Sequence, residues 1–106
     1  MRWLRNLVER LRPRRRLIVI EGDSLPPQLP PRDLVVARED EDDWVAGMRC
    51  PCGCGDALEV MLIPEVRPRW KLAVDNRGYP SLHPSVWRKV GCKSHFWLRR
   101  GRVIWC

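Results

Sequence analysis

All five cysteines of the chain fall in three short stretches: Cys50-Pro51-Cys52-Gly53-Cys54-Gly55, Gly91-Cys92-Lys93-Ser94-His95, and Cys106. His95 travels with them. Cysteines this close together can aim at one ion only if the backbone turns sharply. Proline fixes one φ and glycine permits positive φ, so the residues between the cysteines suit such a turn. A Cys-x-Cys or Cys-x3-Cys half joined to a Cys-x2-His half supplies a tetrahedral thiolate-rich site of the structural zinc type. The candidate ligands are Cys50, Cys52, Cys54, Cys92, His95 and Cys106, which is more than one ion needs. The expected cofactor is one zinc ion, with a Cys3His iron–sulfur cluster as the alternative. Against the alternative, a Rieske site would need a second histidine where this chain has Cys52 or Cys54. His83 reads as a hydrogen-bonded structural histidine.

Other chemistry is less visible. Asp56 is the acid nearest the cysteine triplet, and a catalytic zinc would want a base and an open position. A Cys92–His95 nucleophile pair would not need three companion cysteines. The sequence displays no glycine loop for phosphate and no Ser-His-Asp arrangement. The expectation is a protein without catalytic activity.

The elements that position the cysteines are β-rich. Ten prolines and seven glycines favour turns over long helices. Strands are predicted at Leu17–Glu21, Leu34–Ala37, Trp44–Arg49, Ala57–Ile63 and Trp70–Val74. Gly22 to Arg32, with Pro26, Pro27, Pro30 and Pro31, reads as an extended connector. The acidic run Glu39–Asp43 reads as a solvated turn. His95 to Cys106 reads as a hairpin. If its loop is Arg100-Gly101, then Arg99 opposes Arg102, Phe96 opposes Trp105, and His95 faces Cys106, which would make the terminal cysteine a ligand beside it. Of the six tryptophans, five lie in or next to strands and fill a small core, with one or two free to dock a partner.

Residues 1–12 read as an amphipathic helix with Leu4, Leu7, Val8 and Leu11 at helical spacing. Pro13 ends it and Arg14-Arg15-Arg16 forms a hinge. The whole chain carries +7, but residues 1–16 hold seven arginines against Glu9 alone, so +6 of that charge belongs to one arm. A basic footprint across the whole fold is therefore absent. Trp3, Arg5, Arg12, Arg14, Arg15 and Arg16 are the candidate partner-binding residues. The plain reading is a helix that packs on the body and solvates its arginine face; the sharper ones are docking to a protein partner, to an anionic membrane surface or to phosphate.

Length and composition bound the rest. At 106 residues and 12.5 kDa, the chain divides into a basic helix and hinge (1–16) and a β-rich metal-binding domain (17–106). With 44% hydrophobic and 31% charged residues it is a folded protein. The fold class expected is mostly β, a small zinc-stapled sheet domain with one N-terminal helix. No apolar run approaches the ~18 residues of a membrane span. The absence of a signal-peptide pattern and the odd cysteine number favour a reducing cytoplasm.

Several segments together resemble a known family. They are Gly22-Asp23-Ser24-Leu25-Pro26-Pro27, Arg49 to Gly55, His83-Pro84-Ser85-Val86-Trp87, Gly91 to Trp97, and Val103-Ile104-Trp105-Cys106. The pattern, over about Leu17 to Cys106, resembles small bacterial Cys/His-rich proteins predicted to bind metal and often encoded beside ubiquitin-like modifiers and their activating and conjugating enzymes. The resemblance implies a protein-interaction or adaptor module of a ubiquitin-like conjugation system, with the modifier or its conjugating machinery as partner. A nucleic-acid-binding zinc module using the arginine arm is the rival.

Overall fold

A computed structural model describes residues 2–89 and 91–106. It contains one helix, α1 (Arg2–Arg10), and eight strands: β1 (Leu17–Glu21), β2 (Leu34–Glu39), β3 (Asp42–Arg49), β4 (Ala57–Met61), β5 (Lys71–Val74), β6 (Pro80–Trp87), β7 (His95–Arg99) and β8 (Arg102–Trp105). They form two four-stranded sheets, β1-β2-β3-β4 and β5-β6-β7-β8. The mostly β class expected from the sequence is what the chain adopts.

Alternation of side chains gives the two sheets one shared core. Leu34, Val36, Ala46, Met48, Leu58 and Val60 point inward from the first sheet, and Leu82, Val86, Phe96, Leu98, Val103 and Trp105 from the second. Cys50 and Leu62 extend this cluster at the strand ends. In β2 the run Leu34–Ala37 is buried on both faces, because the proline-rich connector covers the outside. Leu29 is buried there and its carbonyl accepts a bond from Arg49 Nε at 2.9 Å. The connector's length also explains why β1 pairs with β2 in parallel. A tight turn can join only antiparallel neighbours.

Two hairpins follow their turn chemistry. Asp40 and Glu41 both have positive φ (53° and 67°), so the acidic run is a two-residue reversal between β2 and β3. Arg100 and Gly101 do the same between β7 and β8, with φ of 48° and 77°. The resulting register pairs Arg99 with Arg102 and Phe96 with Trp105, as the two-residue loop requires. The Cys106 N–H continues that ladder by donating to the His95 carbonyl at 3.0 Å.

One strand was not legible in advance. Pro80–Trp87 forms β6 despite Pro80 and Pro84. Proline cannot donate to a ladder, so it is tolerated only at a strand start or an irregularity. Pro80 begins the strand, and Pro84 sits within a break of register between Leu82 and Val86.

The helix docks in an unexpected orientation. Its polar side faces the body, and its target is the free edge of β8. Asn6 Oδ1 accepts the Trp105 N–H at 2.8 Å, and Glu9 Oε2 accepts the Val103 N–H at 3.4 Å. These N–H groups would otherwise form an open edge. Arg102 Nη1 donates to the Glu9 and Arg12 carbonyls at 2.9 and 3.1 Å, which satisfies the helix C-terminus. Glu9 is buried and ion-paired to the buried Arg15 at 2.7 Å. Arg15 is thus a structural residue and not the partner contact expected from its place in the arginine run. Arg14 Nη1 donates to the Arg100 carbonyl at 2.9 Å, at the surface.

Removing one member of a buried ion pair leaves the other charge uncompensated. Glu9→Gln should therefore lower the unfolding free energy by about 3–5 kcal/mol, measured by urea denaturation. An unchanged midpoint would show that Arg15 finds another partner.

Candidate active site and metal centre

The break in β6 decides where its side chains point. Beyond it, Val86 pairs with Phe96 and Trp87 with His95. Val86 and Phe96 face the core, so Trp87 and His95 share the outer face of the second sheet. Ser85 lies two residues before Trp87 on the same face, diagonal to His95. The outcome is a hydrogen-bonded pair, Ser85 Oγ to His95 Nε2 at 2.9 Å. Strand irregularities commonly re-aim side chains next to active sites, and this one places a hydroxyl on an imidazole.

Both partners are held. The Trp87 ring stacks on the His95 imidazole with centroids 5.1 Å apart and planes 20° from parallel, which fixes the plane of the base. Trp70 Nε1 donates to the Ser85 carbonyl at 3.3 Å, which ties down the backbone of the hydroxyl residue. Serine and histidine at this distance form the nucleophile–base unit of acyl-transfer enzymes. In the tautomer with Nδ1 protonated, Nε2 accepts the Ser85 proton.

Four thiols gather at one end of the sandwich. The Sγ atoms of Cys50, Cys52, Cys54 and Cys92 lie within 4.8 Å of one another, and this group could hold a metal ion. Cys50 Sγ is 3.3 Å from Cys52 Sγ and 3.5 Å from Cys92 Sγ. Four sulfurs at ~2.3 Å from a tetrahedral ion would be roughly 3.8 Å apart, so the donor set fits such an ion with a small adjustment. The turn is built from Gly53 and Gly55, at φ of 89° and 87°, and the Gly53 N–H donates to the Cys50 carbonyl at 3.2 Å.

The thiols differ in electrostatics. Ser94, through its hydroxyl at 3.1 Å and its backbone N–H, holds the Cys92 thiol down to about 6. Burial pushes the Cys50 thiol up to about 12. Arg88 Nη1 reaches Cys92 at 3.5 Å and Cys54 at 3.8 Å while pairing with Asp56 at 3.0 Å. Asp56 therefore anchors this cation beside the thiols and has no contact with the serine–histidine pair.

Two of the six residues singled out as ligands stand apart. The structure turns His95 away from the thiols to Ser85 and Trp87. Cys106 is exposed and outside the cluster. The hairpin register does set Cys106 beside His95, but of the expected Cys-x2-His half only Cys92 joins the thiols, and the imidazole serves the sheet face. His83 is exposed, with its ring 5.6 Å from that of Trp97, and takes no part in the pair. Ser85 was missed altogether. The signal that would have found it is the pairing of its strand with β7, which the prolines concealed.

One concavity touches the pair. A cleft of about 180 Å³ is lined by His95, Lys93, Cys106, Trp105, Arg2 and Arg5. A wider depression of about 680 Å³ between β3, the β4–β5 connection and β5 contains Trp70 but neither Ser85 nor His95. The smaller cleft reaches His95 but not Ser85, and its basic lining comes partly from α1.

A family model described as "Bacterial ubiquitination-like system serine protease (BubE)" matches residues 21–106. No curated protein and no solved structure matches the chain. The family description points to an enzyme and overturns the expectation of a protein without catalytic activity. The reason that expectation failed is spatial. Ser85 and His95 are ten residues apart, and no linear motif announces a pair made by strand register.

Proposed function

The chain belongs to the BubE family of bacterial ubiquitination-like systems, and from that premise we propose that it is a serine protease whose nucleophile is Ser85 and whose general base is His95. The observation that carries this is the 2.9 Å contact between Ser85 Oγ and His95 Nε2. Ser85 Oγ attacks the carbonyl carbon of the scissile peptide or isopeptide bond while His95 Nε2 takes its proton. The tetrahedral intermediate collapses to an acyl-enzyme ester, and the imidazolium gives the proton to the departing amine. Water then attacks the ester with the same histidine as base, which releases the acid and restores Ser85.

The substrate is a protein component of the ubiquitination-like system. The protein-interaction role expected from the sequence becomes substrate capture on the open face beside the pair, where Trp87 is 57% exposed. Zinc is the ion best suited to Cys50, Cys52, Cys54 and Cys92. With all four positions filled by thiolate it would be structural, without an open site for water. Ser94 links the two centres, since its hydroxyl lies 3.1 Å from Cys92 Sγ and it directly precedes His95.

The test is covalent labelling. A fluorophosphonate probe should add its phosphonyl group to Ser85, located by peptide mass spectrometry, and His95→Ala should suppress the adduct. An adduct on another serine, or equal labelling without His95, would sink the assignment.

A further inference from the structure

The outward face of α1 is apolar, and none of the described residues covers it. Helices normally bury their apolar stripe and solvate the polar one. Here the object to be covered is a strand edge that needs hydrogen-bond acceptors, so Asn6 and Glu9 face the body. Trp3, Leu4, Leu7, Val8 and Leu11 are consequently turned outward, 66%, 48%, 49%, 42% and 80% exposed. At 100° per residue they occupy an arc of about 140°. Arg5 and Arg12 flank that arc on one side and Arg10 on the other. Glu9, the acid of this segment, is consumed by its buried pair with Arg15. The surface presented to solvent by residues 2–12 is therefore apolar at its crest, positive at its shoulders and free of negative charge.

We propose that α1 binds the surface of an anionic lipid bilayer, with its apolar crest among the acyl-chain ends and its arginines at the headgroups. Two features favour lipid over another protein. Trp3 and Leu7 share a groove of about 600 Å³ with Arg10, Arg14, Arg99 and Arg102, so the apolar stripe is bordered by cationic walls that suit lipid phosphates. Arg10 and Arg12, one on each flank, can extend their stems along the apolar face and keep their guanidinium groups at phosphate level, while Arg5 holds its guanidinium over the Trp105 ring, 4.4 Å from the centroid. Charge complementarity selects anionic headgroups over neutral ones. The binding is reversible, because the helix is only nine residues long. The serine–histidine pair lies on β6 and β7 and not on the helix, although Arg2 and Arg5 of α1 share the cleft with His95.

The experiment is sedimentation of the full chain with vesicles of phosphatidylglycerol mixed with phosphatidylcholine, and with phosphatidylcholine alone. Binding should be roughly tenfold or more tighter on the anionic vesicles. The double variant Leu7→Glu with Leu11→Glu should lose it, and circular dichroism identical to the parent shows that the fold survives. Three results would overturn the proposal. One is no sedimentation with anionic vesicles. Another is undiminished binding of the double variant, which would leave only diffuse charge attraction. The third is a dimer in vesicle-free solution that the double variant dissolves, which would mean a second copy covers the apolar face.

Discussion

Ser85→Ala is expected to lower the rate of substrate cleavage by on the order of 10⁴-fold or more, since removing a nucleophile or its base leaves only the residual effect of binding and positioning. His95→Ala should cost a similar factor, and the double variant little beyond either single one. Residues that act as one unit are strongly non-additive. Thermal unfolding should be nearly unmoved by Ser85→Ala, because the hydroxyl is only partly buried. The check is a kinetic comparison on a fusion that joins the system's modifier to a reporter. If the single losses multiply in the double variant, Ser85 and His95 act in separate steps and the pair is not the catalytic unit.

With a structural ion at the four thiols, as proposed, stripping it should do more than slow catalysis. A structural ion in a four-thiolate site contributes on the order of 10 kcal/mol of apparent folding free energy at neutral pH. A chain of this size has a total stability of about 5–15 kcal/mol. Incubation with a strong chelator should therefore unfold the domain or leave it molten, with activity lost in parallel and near-ultraviolet dichroism collapsed. Cys50→Ser and Cys92→Ser should behave alike, since the buried Cys50 links the triplet to the β6–β7 connection. Re-addition of zinc should restore the parent but neither variant. A chelated protein that stays folded and active would reduce the four thiols to packing groups.

These predictions rest on features of unequal visibility in the sequence. The thiolate cluster was legible because its parts are local: Cys50, Cys52 and Cys54 share one turn, and prolines and glycines announce it. Cys92 could be matched to them by type alone. The β7–β8 hairpin could be worked out in register because the Arg100-Gly101 turn fixes it. The serine–histidine pair was not legible for the opposite reason. It depends on a long-range pairing whose strand begins with Pro80 and is interrupted near Pro84. Both residues argue against a strand until a neighbouring ladder is there to supply the context. Orientation of α1 was hidden too. Helical periodicity locates an apolar stripe, but the stripe's direction depended on what β8 needed, and backbone N–H groups at a sheet edge leave no mark in composition.

The bonds from Asn6 and Glu9 to Trp105 and Val103 also set an order of events during synthesis. Helix and edge strand are separated by more than ninety residues. At roughly 5–20 residues per second, the helix leaves the ribosome several seconds or more before the strand it must cap. For that interval Glu9 has no N–H to accept from β8, and the arginine-rich segment is tethered to an incomplete sheet. The Cys50 turn waits likewise for Cys92, 42 positions later. Closure of the metal site and capping of the sheet edge are thus both late, and both depend on the same stretch of chain. A ribosome paused before Cys92 would hold a nascent protein with loose thiols and a free cationic arm, the species most exposed to oxidation.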